Sequence, residues 1–147
     1  MSNDVLPVSA IRFKAEAADW REAITISGDL LVASGATTDE YTEAMVKTVE
    51  ELGPYMVIAP GFALAHSRPS EAVKRTGLSW VTLAEPVEFG SQANDPVDLV
   101  VGLAALDHDS HIQVMSKLAG VLANAEVLAQ LRASTDPEEI RAALLGD

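Results

Sequence analysis

The sequence has no cysteine. That removes disulfides, thiolate metal sites and cysteine nucleophiles in one step, and it suits a cytoplasmic protein. Basic residues are scarce: ten Lys and Arg stand against 22 Asp and Glu, for a net charge of −12. So acidic a chain lacks the basic face that neutralises phosphates in a nucleic-acid binder. Anionic membrane surfaces repel it for the same reason. Nowhere does an apolar run approach the ~18 residues of a membrane-spanning helix. The start, Met1-Ser2-Asn3-Asp4, lacks the basic residues and apolar stretch of a secretion signal. These absences lead us to expect a cytoplasmic protein with no nucleic-acid partner and no direct membrane insertion. The GxSxG elbow, the P-loop and the dinucleotide fingerprint are missing as well, and with them three common catalytic frameworks.

What is present is ordinary in bulk. Apolar residues make up 48% and charged residues 22% of 147 residues, as in a soluble globular protein. Without repeats or a linker, residues 1–147 read as one domain, long enough to bury about 70% of its extended surface. Helical and extended patterns alternate along the chain, which points to an α/β fold: a mixed sheet of four to five strands flanked by helices. Ser9 to Ala15 alternates like an edge strand. Asp19, with Glu22 three residues on, is a capping box opening a helix that Gly28 would stop. Thr37-Thr38-Asp39-Glu40 opens a second helix in the same way. Its stripe is Tyr41, Ala44, Met45, Thr48, Val49 and Leu52, and Gly53-Pro54 ends it. Tyr55 to Ala59 reads as a buried central strand, and Gly77 to Ala84 and Val97 to Leu106 as two more. Ser110 to Gln113 is a capping box for a long helix with the stripe Ile112, Met115, Leu118, Ala119 and Leu122. Asn124 caps a continuation, and Asp136-Pro137 starts a last helix.

Two places could carry chemistry. Between Gly61 and Trp80 lie three of the ten basic residues, Arg68, Lys74 and Arg75, with one acid, Glu71. A positive island in an acidic chain draws anions toward it. His66 sits at its start, at a strand-to-loop junction where functional groups are often displayed. From the residues alone it is either a structural histidine satisfied locally or a displayed reactive one. The second place is Asp107-His108-Asp109-Ser110-His111, between a strand and a helix, where ligands gather in open α/β sheets. At the first helical position, His111 would be kept neutral by the local dipole. Its N–H and the neighbouring backbone N–H groups could then meet a phosphoryl oxygen. Asp107, His108, Asp109 and His111 fit no standard zinc spacing, so no metal site is expected.

Several of these residues together resemble a known family. Asp19-Trp20-Arg21-Glu22-Ala23-Ile24, Glu40-Tyr41, Gly53-Pro54-Tyr55, Ala59 through Pro69 and Gly102 through Asp107 with Ser110-His111 follow in order. The chain from Asp19 to Leu144 resembles the enzyme IIA component of the bacterial phosphoenolpyruvate-dependent sugar phosphotransferase system, mannitol/fructose type, ascorbate-like subgroup. The resemblance implies the mannitol/fructose-type IIA fold and a phosphotransferase that uses no cofactor. Its phosphoacceptor would be His66, and His111 the second active-site histidine that stabilises the phosphoryl group. Arg68 and Ser110 fall to substrate or partner binding. The implied donor is HPr and the implied acceptor enzyme IIB, in uptake of L-ascorbate or a related sugar acid or polyol, and a homodimer is compatible. The alternative within the same family is a regulatory, nitrogen-related IIA-like protein that signals by phosphorylation-dependent partner binding. One departure is visible. The family's motif ends Pro-His, whereas here Ala65 precedes His66, and the fixed φ of a proline is lost.

Overall fold

Five strands and five α-helices build the computed structural model, which describes residues 6–53, 56–67, 70–92 and 94–145, with backbone alone at His108, Ser110, His111, Leu122 and Leu145. A 3₁₀ turn, Val8–Ala10, leads into β1, Ile11–Ala15, followed by α1, Trp20–Ala33, and α2, Asp39–Leu52. Next come β2, Val57–Ala59, β3, Phe62–His66, β4, Gly77–Val87, and β5, Val97–Ala104. The chain closes with α3, His108–Leu122, α4, Ala125–Ala133, and α5, Pro137–Leu145. The strand order is β1-β4-β5-β3-β2. β3 runs parallel to β5, and β1 parallel to β4, while β4–β5 and β2–β3 are antiparallel. The mixed, helix-flanked sheet expected from the sequence is therefore present.

Period-2 alternation sorts the strand residues between two cores. Ala63, Ala65, Val81 and Val100 face the α1–α2 layer. Phe62, Leu64, Trp80, Leu99, Val101 and Leu103 face the layer of α3, α4 and α5. Because helices cover both faces, β3 and β5 show no polar face at all.

Three helix starts agree with their cap signals. Asp19 accepts the Glu22 N–H at 2.9 Å, and the Glu22 carboxylate turns back to the Ala18 N–H at 3.0 Å. Asn124 accepts the Val127 N–H, Asp136 accepts the Glu138 N–H, and Pro137 is the first residue of α5.

Other expectations are overturned. Gly28 does not stop α1, which runs to Ala33. Its bare Cα lets the helices touch, since a methyl there would collide with the side chain of Thr42. The capping box expected at α2 is not formed: Thr38 occupies the N-cap position without a side-chain cap bond. Leu52, the last residue of α2, lies 69% exposed rather than in the core. Tyr55 to Ala59 is not a central strand. Only Val57–Ala59 pairs, at the sheet edge, with Ile58 exposed; Pro54 and Tyr55 lie outside the described residues. The interior strand is instead β3, whose alanines read as neither strand nor helix. A two-residue turn, Pro60-Gly61, makes the pair a hairpin, with Ala59 opposite Phe62 and Gly61 at φ +73°, as a Pro-Gly turn favours. β4 continues three residues beyond Ala84. The core stripe of α3 is rotated: Val114, Leu118 and Val121 are buried, while Ile112 and Ala119 are exposed.

Candidate functional site

β3 and β5 run side by side to a shared carboxyl edge, their last paired rung being His66 opposite Leu103. Beyond it β5 ends at Ala104, and after three intervening residues α3 begins. The edge therefore brings together His66 and the amino end of a 15-residue helix. The first N–H groups of such a helix have no partners within it and carry the positive end of its dipole. By the alternation of β3, His66 shares the α3 side of the sheet with Phe62 and Leu64.

The ring of His66 is half-buried, with Nδ1 2.8 Å from the carbonyl oxygen of Leu64. A carbonyl only accepts, so this contact assigns the proton to Nδ1. A neutral ring then has its lone pair on Nε2. The strand's own backbone thus selects one tautomer, with the Nε2 lone pair at the end of β3 where α3 starts.

The segment after β3 is held by backbone and side-chain bonds to the α1–α2 turn. Thr38 N–H donates to Ala72 O at 2.9 Å, Lys74 N–H to Ala36 O at 2.7 Å, and Arg75 Nη2 to Ser34 O at 2.6 Å. Thr76 Oγ1 accepts the Leu106 N–H at 3.1 Å, tying the start of β4 to the loop that enters α3. The positive island is therefore partly structural: the guanidinium of Arg75 serves the end of α1. Arg68 lies outside the described residues.

Ser110 and His111 do fall at the carboxyl edge with His66, but not where expected. α3 begins at His108, so Ser110 is inside the helix rather than capping it, and His111 is the fourth helical residue rather than the first. The start moves because Asp107, preceding His108, is itself a good N-terminal residue. Among the described residues, no cluster of three His, Asp or Glu could hold a metal. No single described helix is long and apolar enough to cross a membrane.

Sequence reasoning overlooked one group. Tyr41 is 1% exposed; its stripe position on α2 marks it as core and Glu40-Tyr41 carries part of the resemblance, but neither assigns a polar role to its hydroxyl. Its hydroxyl donates to Leu103 O at 2.6 Å and accepts the N–H of Ser67 at 3.0 Å, with Ser67 O also 3.2 Å away. A tyrosine in an apolar stripe was the available signal, since a buried hydroxyl seeks a partner.

Known proteins with this architecture point the same way. Residues 4–146 match the family model described as "Phosphoenolpyruvate-dependent sugar phosphotransferase system, EIIA 2". The chain is 43% identical to the "Ascorbate-specific PTS system EIIA component" of Escherichia coli K12, over 89% of this chain and 86% of that protein. The solution structure of a mannitol-specific cryptic phosphotransferase enzyme IIA from Escherichia coli superposes with a TM-score of 0.85 at 33% identity, covering 96% of this chain and 95% of the other. The IIA of the Escherichia coli complex of enzyme IIA and phosphorylated enzyme IIB for mannitol gives 0.82 at 30%, over 96% and 97%. This chain belongs to the EIIA 2 family of the phosphoenolpyruvate-dependent sugar phosphotransferase system, a family of phosphotransferases.

Proposed function

We propose that this chain carries a phosphoryl group on Nε2 of His66, accepting it from HPr and passing it to enzyme IIB during uptake of L-ascorbate or a related sugar acid or polyol. The observation that carries the reading is the contact of Nδ1 with Leu64 O, which leaves Nε2 as the nucleophile. In the first step Nε2 attacks phosphorus while the P–N bond of the donor phosphohistidine breaks, and its electron pair stays on the donor ring. The second step repeats the exchange toward the acceptor. His66 keeps its Nδ1 proton throughout, shared with Leu64 O. Phosphoryl transfer is mainly positioning and charge stabilisation, so the reading assigns the amino end of α3 and His111 to the equatorial oxygens. Leu106 and Ile112, both about half exposed beside the start of α3, are apolar surface suited to a protein partner rather than a small donor. No step calls for a metal or organic cofactor. The reading places this exchange in the cytoplasm. The ascorbate assignment rests on the 43% relative. A nitrogen regulatory IIA from Neisseria meningitidis shares the fold at 27% identity, which makes transport the better supported of the two roles.

The test is incubation with phosphoenolpyruvate, enzyme I and HPr. Intact mass should rise by one acid-labile phosphoryl group, and ¹⁵N-resolved NMR should place it on Nε2 of His66. A group on Nδ1, or on another residue, would overturn the assignment. For His111→Ala, uptake should persist while onward transfer to enzyme IIB slows by about 100-fold, the cost of losing one donor to a developing anion. Unchanged transfer would remove His111 from the mechanism.

A further inference from the structure

We propose that Tyr41 is a positioning residue for the phosphoacceptor. Its hydroxyl ties the end of β3 to the end of β5 and so sets where Nε2 of His66 stands relative to the first turn of α3. The proposal rests on the reading of His66 as acceptor.

The paired register of β3 and β5 stops at His66 and Leu103. One residue further on, the N–H of Ser67 and the carbonyl of Leu103 are joined through a side-chain oxygen from a third element. Ser67 N–H donates to Tyr41 Oη at 3.0 Å, and Tyr41 Oη donates to Leu103 O at 2.6 Å. The hydroxyl is thus a one-atom spacer between the two strands where they part. It satisfies the half-buried N–H of Ser67 and the buried carbonyl of Leu103 with one atom.

The arrangement is stiff at both ends. Tyr41 is buried in the first turn of α2, in the same core as Met45, Ala65 and Ala104. Ser67 follows His66 directly. Fixing its N–H fixes the peptide that follows the acceptor, and with it the backbone from which the imidazole projects. Leu103 lies five residues before α3, so the other half of the bridge anchors the segment that aims the helix.

Tyr41→Phe removes the oxygen and little else. Phosphoryl uptake from phospho-HPr should fall about 10- to 100-fold in kcat, the scale of a misplacement near 1 Å, with KM for phospho-HPr unchanged. The ¹⁵N spectrum of His66 should change with it, from a ring protonated at Nδ1 to a mixture of tautomers as the contact with Leu64 O loosens. Asn124→Ala, which removes the cap of α4, serves as the stability control. It should lower the melting temperature while leaving both readouts at wild-type values. If Tyr41→Phe does not fold, 4-aminophenylalanine at position 41 keeps a donor for Leu103 O but is a poor acceptor for the Ser67 N–H, and the same two changes are expected. A folded protein with either replacement at position 41 and with wild-type kcat and wild-type tautomer pattern would overturn the proposal. Failure of the acceptor reading looks different: wild type itself would gain no phosphoryl group at His66. The ¹⁵N pattern would still decide whether Tyr41 holds the ring.

Discussion

His66→Ala should leave a folded protein that takes up no phosphoryl group, with uptake reduced by about 10⁴-fold or more, as when a covalent enzyme loses its nucleophile. The structural cost is small by comparison. The ring is half-buried at the last position of β3, and its Nδ1 donates to Leu64 O. Losing a bond of that kind costs about 1 kcal/mol. The expected result is therefore a wide separation between the two readouts: a melting curve shifted by a few degrees and an intact mass that never moves. His66→Gln extends the test, because a glutamine amide can donate to Leu64 O as Nδ1 does but offers no nucleophilic nitrogen. It should recover stability and no transfer. A variant lacking the imidazole that still gained an acid-labile phosphoryl group would place the acceptor elsewhere, with the other histidines, His108 and His111, as the first residues to map.

The site was more legible in the sequence than the strand that carries it. His66 stood out because it opens a basic segment in an acidic chain and follows a Pro-Gly turn, both local signals. β3 itself was missed. Phe62-Ala63-Leu64-Ala65 alternates large and small residues, not apolar and polar ones, and strand propensity does not favour alanine. The alternation has a tertiary cause: the alanines face α1 and α2, while Phe62 and Leu64 meet the α3 layer. The neighbouring Tyr55 to Ala59 run, rich in strand formers, gives the stronger local strand signal, yet it is β3 that lies inside the sheet. Gly28 failed for a related reason. Glycine is a common helix stop, but here it is a contact point with Thr42, which no local pattern encodes. Rotation of the α3 stripe is of the same kind. Val114 and Val121 fit the helical period as well as Ile112 and Ala119 do, and only the packed sheet chooses between them. The Tyr41 bridge could not be read at all, since its partners are the main chain of Ser67 and Leu103, 26 and 62 residues away.

The largest stability effect is expected at the opposite kind of residue, one with no part in transfer. Trp80 is 1% exposed on β4, opposite Ile11 of β1 and Val101 of β5, in the core that also holds Phe62, Leu64 and Leu103. Trp80→Ala should cost about 3–5 kcal/mol, since it removes a large buried side chain and leaves a cavity. Domains have only ~5–15 kcal/mol in total, so urea unfolding should shift strongly toward lower denaturant. Trp80→Phe should cost much less, ~1.5 kcal/mol or below. The smaller ring still fills most of the volume, and the indole N–H that it removes has no hydrogen-bond partner among the described residues. Deleting a buried, unsatisfied donor returns part of what the lost volume costs. The order Ala far below Phe, with Phe close to wild type, therefore tests packing and the orphaned donor together. A Phe variant as unstable as the Ala variant would mean that the indole N–H is satisfied in solution. In both variants the phosphoryl uptake of folded molecules should stay near wild type, because Nε2 is set by Leu64 O and by the carboxyl edge of the sheet. His66→Ala removes transfer and spares the fold; Trp80→Ala should do the reverse, which separates the group that reacts from the core that holds it in place.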